Sequence, residues 1–450
     1  MSESSRPRFS IVIPTRERAN TLKFTLDTCL TQGHESFEVI VCDNCSSPAT
    51  RQVVESFAAP KVRYVRSDKP LAMSENWELA VSHAAGEYVV VVGDDDGLLP
   101  DALGGIDRVL LDTGVRCLRW ERVYYSWPDM PAAEEANIVH IPLIGKSEIL
   151  EGRAVMRAVA NSEEDYTRLP MLYNSAIHSS LIGEMKARAG RLFASRTPDI
   201  FSGFAFAYLA GSYVSLGRPM TINAGSAKSN GCAHVYPQGD AAVAQDFRDL
   251  NESAGLGCHP EVPDFDVIAL AAVVADGFLH ARDLLFPGDE YLCLDRRRFI
   301  VNCVRELATR THSTAVWQSH LTGLRESVAG EPELLAWFDA HHDELDATYA
   351  ELLPARAAGS AAQAVRLGFD GHSLHLNAAE FGATDVMGVA ELSARMLGKM
   401  DRVPTLENPP STDRPSAIAP EKMDPEPTPD RPLGAYSRVR SAARIMIRGR

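Results

Sequence analysis

The stretch that decides the fold is Glu87-Tyr-Val-Val-Val-Val-Gly-Asp-Asp-Asp-Gly-Leu-Leu-Pro100. Its first half is an unbroken β-branched run, the pattern of a strand buried on both faces of a parallel sheet. It runs directly into three aspartates, and Pro100 then opens a helix. Adjacent carboxylates repel and raise one another's pKa unless a cation or hydrogen-bond donors relieve them. Asp94, Asp95 and Asp96 therefore fit a hard divalent ion such as Mg²⁺ or Mn²⁺ that bridges carboxylates to phosphates. A solvated acidic turn capping the following helix is the competing reading.

The same alternation continues toward the N-terminus. Phe9–Pro14 (FSIVIP), Phe37–Asp43 (FEVIVCD) and Val62–Val65 read as strands, while Thr21–Thr31, Thr50–Phe57 and Ser74–Ala85 carry helical spacing. Strand–helix alternation predicts an α/β fold: a Rossmann-like, mostly parallel sheet flanked by helices, with ligands beyond the carboxyl ends of the strands. The chemistry-bearing residues fall at those ends. Pro14, Thr15, Arg16 and Arg18 precede a helix whose free amides, with the two arginines, suit a pyrophosphate, or else form a solvated loop. Asp43 suits a hydrogen bond from a base ring nitrogen, or an Asx-type turn.

Further along, Arg116–Tyr125 and Val139–Leu143 read as strands, and Ala154–Gly231 mixes loops with helical pieces. The expected organisation is a domain over 1–235, a mainly helical region over 236–350 and a small cap over 351–403. A Pro-rich disordered linker with a basic end then covers 404–450. Trp120, Tyr124, Tyr125 and Trp127 read either as a sugar-stacking wall or as core.

Composition narrows the function. The 450 residues are 45% hydrophobic and 23% charged, and the formal net charge is −15, which argues against nucleic-acid binding. No run of about eighteen apolar residues occurs, and the opening MSESSRPRFSIVIP predicts no leader. The 8 scattered cysteines fit reduced thiols and a cytoplasmic setting. The basic stretch 438–450 fits peripheral contact with an anionic membrane surface, or a solvated tail. Oligomeric state is not legible.

FSIVIPTRER, VIVCDNCSS and SENWELAVSHAAGEYVVVVGDDDGLLPDAL, in that order, resemble the glycosyltransferase family 2 pattern on a GT-A fold. The resemblance covers residues 8–110 and extends through PMLYNS, SRTPD and SNG toward 235. It implies an inverting, metal-dependent hexosyltransferase that moves a sugar from a UDP- or dTDP-sugar to a saccharide or lipid-linked acceptor. Thr15, Arg18 and Asp43 would contact the nucleotide, and the DxD signature falls on Asp94–Asp96, with Asp95 and Asp96 as metal ligands. Relatives often carry Arg-Asn where Glu75 and Asn76 stand, leaving Lys69 to replace the arginine at the phosphates. Asp199, after Pro198 and near Phe201, Phe204 and Phe206, is the candidate general base or a helix cap; Glu163, Glu164 and Asp165 compete. His234, after Ser229-Asn-Gly231, is a candidate ligand on a closing loop or an exposed loop residue. A dehydrogenase or nucleotidyltransferase is disfavoured because Pro-Thr-Arg-Glu-Arg has no glycine. A non-catalytic nucleotide-sugar-binding module with the same fold is the alternative.

Overall fold

The computed structural model describes residues 6–235, 241–265, 267, 269–352, 367–398 and 404–407. The basic stretch 438–450 and most of the Pro-rich segment lie outside the described residues.

β1 (Phe9–Thr15), β2 (Phe37–Asp43) and β3 (Val62–Arg66) are parallel, in the order β3-β2-β1. β4 (Tyr88–Val91) pairs parallel on the other side of β1. Each crossover is a helix: Ala19–Leu30, Pro48–Ser56 and Met73–Ser82. The β-branched runs form the centre because every residue of β1 is buried. Ile11 and Ile13 point into a core with the helices Ala19–Leu30 and Ala102–Thr113, whereas Val12 points into the opposite core. Fully burying one such side chain stabilises by about 1.5–3 kcal/mol.

The sheet is parallel through its N-terminal strands and mixed beyond them. β5 (Gly97–Leu98), β6 (Cys117–Ser126), β7 (Ile138–Pro142), β8 (Glu148–Glu151), β9 (Ser175–His178) and β10 (Ser212–Gly225) follow. Among these, only the β6–β10 pairing is parallel; β9 runs antiparallel to both β4 and β6, and β7 antiparallel to β6. The physical reason is connectivity. Regular helical crossovers stop near residue 113, and short connections such as the one between β6 and β7 return the chain alongside itself.

β10 is long, and the sequence reading missed it: fourteen residues with a bulge near Pro219, where the register to β6 shifts. The expected cap over 351–403 does not stand apart. β11 (Gly368–Phe369) and β12 (Ser373–Asn377) extend the sheet edge beside β7. The helix Val386–Leu397 buries Val386, Val389 and Ala390 in one cluster with Trp127, Val139 and Ile141. The helical region packs through Leu270–Leu285 onto Pro198–Ala210, for example Phe278 against Phe204 with ring centroids 5.3 Å apart. No described helix is long and apolar enough to cross a membrane.

Candidate active site

A cavity of about 1120 Å³ opens at the carboxyl ends of β1 and β4 and runs to the first turn of Pro198–Ala210. Pro14, Thr15, Arg16, Arg18, Asn76, Asp94, Asp95, Asp96 and Asp199, separated by up to 185 positions in the chain, all line it. That convergence brings together most of the residues singled out in the sequence.

The aspartates are not equivalent. Asp96 turns back on itself: its Oδ2 accepts from the Gly93 amide at 3.1 Å and its Oδ1 from the Ala224 amide at 2.6 Å. A Cβ on residue 93 would lie 2.6 Å from Asp96 Oδ2, which explains the glycine at this place in the signature. Asp95 Oδ2 instead accepts from the Ser226 hydroxyl at 2.7 Å and pairs with Arg18 Nη1 at 3.2 Å. Ser226 and Arg18 also bond to each other, and Trp127 Nε1 fixes the Asp95 carbonyl at 2.9 Å. Asp94 Oδ2 accepts from the Arg16 amide at 3.3 Å. Burial, reinforced by the neighbouring Asp95 charge, pushes the Asp96 carboxyl up; burial also raises Asp94, against the pull of Arg18.

Both Asp96 oxygens are held by amides, and Asp94 and Asp95 line the same wall. The donor set of two hard carboxylates suits a divalent ion, although no cluster of three His, Cys, Asp or Glu side chains is assembled among the described residues. His234 falls on the short helix Asn230–Val235, but its side chain lies outside the described residues.

Two expected nucleotide contacts sit differently. Lys69 is exposed and off the cavity wall. Asp43 is fully buried, with Ser46 N at 2.8 Å on Oδ1 and Tyr64 Oη and Arg66 Nη1 at 2.5 and 2.8 Å on Oδ2. Its neighbour Asn44 reaches the wall. Arg16 lines the cavity while pairing with Asp246 at 2.9 Å.

At the far end Asp199 lies in the first turn of its helix, after Pro198, without acting as the N-cap; that residue is Thr197. Burial is the largest influence on the Asp199 carboxyl and raises its pKa, against nearby amides and the Arg122 charge. Its rivals are otherwise engaged. Glu163 bonds Arg298, Glu164 lies near Arg168, and Asp165 caps the turn at Tyr166 by accepting from Thr167 N at 2.7 Å.

Tyr124, Tyr125, Tyr166 and Tyr173 join Asp199 on the wall, so the aromatic stretch divides: Tyr124 and Tyr125 reach the cavity, while Trp120 and Trp127 are buried. Sequence reasoning passed over Arg122 beneath them. It is 1% exposed, donates to Tyr124 Oη at 2.9 Å, and lies 4.7 Å from the Tyr173 ring centroid. No carboxylate among the described residues pairs with it, and its Nη1 has no hydrogen-bond partner. Periodicity gave no signal of this burial, because an arginine alternating with Val123 along a strand reads as solvent-facing.

Two predictions follow from these local arrangements. Gly93→Ala forces its new methyl against a carboxylate pinned by two amides, and a fall in stability of about 1–3 kcal/mol is expected in denaturant unfolding. Arg122→Met replaces a buried, unpaired charge with an apolar side chain of similar length, a change that need not destabilise. The melting temperature should therefore not fall, while turnover drops at least about tenfold because the tyrosine wall loses its anchor.

The fold is α/β, with a cavity lined by arginines and aspartates at the strand ends. Residues 10–156, about a third of the chain, match the family described as Glycosyl transferase family 2. The succinoglycan biosynthesis protein ExoO of Rhizobium meliloti is 28% identical over 97 residues, which are 22% of this chain and 28% of that protein. The putative glycosyltransferase EpsE of Bacillus subtilis is 28% identical over 105 residues, 22% of this chain and 37% of that one. The chain thus spans less than two fifths of either relative. Among solved structures, Staphylococcus aureus TarS 1–349 in complex with UDP-GlcNAc aligns with a TM-score of 0.46 and 14% identity. That alignment covers 81% of this chain and 95% of TarS 1–349.

Proposed function

We propose that the chain is an inverting glycosyltransferase that moves a hexose from a UDP- or dTDP-sugar to an acceptor hydroxyl. The observation that carries this reading is the single cavity joining Thr15–Arg18 and Asp94–Asp95 at one end to Asp199 at the other.

The roles follow from the chemistry of each group. The amides after β1 and the Arg18 guanidinium hold the diphosphate, and Arg16 joins them once it exchanges Asp246 for phosphate oxygen. Asp94 and Asp95 are the residues that would hold Mg²⁺ or Mn²⁺; when bound, that ion neutralises charge on the departing diphosphate. Asp199 takes the proton of the acceptor hydroxyl as its oxygen bonds to the anomeric carbon and the bond to diphosphate breaks. Attack from the face opposite the diphosphate inverts the anomeric centre. The tyrosine wall orients the sugars between these ends.

The test is release of nucleoside diphosphate from a panel of UDP-, dTDP- and GDP-sugars, with Mn²⁺ and mixed saccharide and glycolipid acceptors. Release from a UDP- or dTDP-sugar that increases with acceptor supports the proposal. Binding of a nucleotide sugar with no turnover on any acceptor would favour the non-catalytic alternative.

A further inference from the structure

We propose that the end of the cavity beyond Asp199 is a subsite for an apolar group carried by the acceptor, such as an alkyl or isoprenoid chain attached to its sugar. This deepens the glycosyltransferase reading and rests on it.

Three observations lead there. First, about 1120 Å³ exceeds the roughly 300–1,000 Å³ usual for one small ligand, so a donor filling the polar end leaves room for a second molecule. Second, the wall changes character along its length. The donor end presents arginines, aspartates and backbone amides, and the helix Ala241–Ser253 adds Asp246 and Arg248, whereas Leu250, Phe265, Val267, Leu270 and Val273, with Ile200 at the junction, make an apolar stretch. Leu250, Phe265, Val267 and Val273 are only half-buried: Phe265, Val267 and Val273 pack one side against the core and leave the rest at the opening. Leu270 and Val273 are three positions apart on one helix and therefore share a face. Third, Ile200 follows Asp199 on the same wall, so an acceptor whose hydroxyl reaches the carboxylate lies beside this surface. A bare polysaccharide would leave its hydroxyls against carbon there, unpaired, which is unfavourable. An apolar aglycone removes both surfaces from water. The ion pair Arg196–Asp264, 3.1 Å, lies among these residues and offers a polar contact for the group joining sugar to chain.

The probes are methyl, hexyl and octyl β-glucosides, each below its micelle concentration. They are titrated calorimetrically into the full chain with and without UDP and Mn²⁺, and UDP is titrated separately. The octyl glucoside should bind at least about tenfold tighter than the methyl glucoside. Val273→Asn and, independently, Leu250→Gln should each cut that ratio at least about threefold, with folding checked by circular dichroism. Equal affinity across the series would overturn the subsite, as would a ratio unchanged in both variants. Loss of UDP binding together with the ratio would assign these side chains to the fold and equally overturn it. Failure of UDP to bind the wild type, with the chain-length ratio intact, would instead remove the donor reading.

Discussion

Asp199→Asn should lower turnover by about a thousandfold while leaving the donor's apparent affinity nearly unchanged. The amide keeps the shape of the carboxylate but takes no proton, so only the step that deprotonates the acceptor suffers. Burial raises the wild-type pKa, and the base must be ionised to act. Turnover should therefore fall as pH falls through a midpoint above the ordinary carboxylate range, and the variant's residual rate should lose that limb. The sign for stability runs the other way. A carboxyl whose folded-state pKa is raised favours the fold while protonated, and that contribution is lost as pH rises through the folded pKa. At neutral pH the ionised group is a cost, so Asp199→Asn should melt no lower than wild type. A lower melting temperature with turnover retained would make Asp199 a structural residue at its helix start.

Asp95→Asn has the second large effect, and its signature differs. Asp95 partners Arg18, whose side chain is 11% exposed, and accepts from Ser226. Removing the charge leaves a nearly buried guanidinium with only the unbonded charges of Asp94 and Asp129 nearby, so stability should drop by about 2 kcal/mol. Donor binding should weaken by two or more orders of magnitude, and added Mn²⁺ should no longer improve it. Ser226→Ala removes one hydrogen bond and keeps the charge, so it should show a milder form of the same loss. Retained metal-dependent binding in Asp95→Asn would move the metal site off this residue.

Much of this arrangement was legible in the residues. β1, β2 and β4 are runs of Ile and Val bounded by Pro14, Asp43 and Gly93, and such runs carry their own strand signal. Because ligands gather at the ends of parallel strands, Thr15, Arg18 and Asp95 could be placed together before any coordinates. Asp199 was legible as a carboxylate after a proline among phenylalanines. What was not legible depends on long-range pairing. Asp96 is held by Ala224, 128 positions away, and only the fold of β10 sets that register. Lys69 has the right charge, but the loop before Met73–Ser82 points it to solvent. Arg122 looked like any strand arginine; its burial follows from β9 and β10 flanking β6. The direction of those later strands was not legible for the same reason, since antiparallel return needs only a short turn and leaves little trace in periodicity.

The most direct measurement is calorimetric titration of the wild-type protein with UDP, dTDP and GDP, each with and without Mn²⁺. The account predicts that UDP or dTDP binds with micromolar or better affinity and that removing Mn²⁺ weakens it at least about tenfold. If none of the three binds with the metal present, the cavity between Thr15 and Asp199 is not a nucleotide site, and the glycosyltransferase reading fails with it.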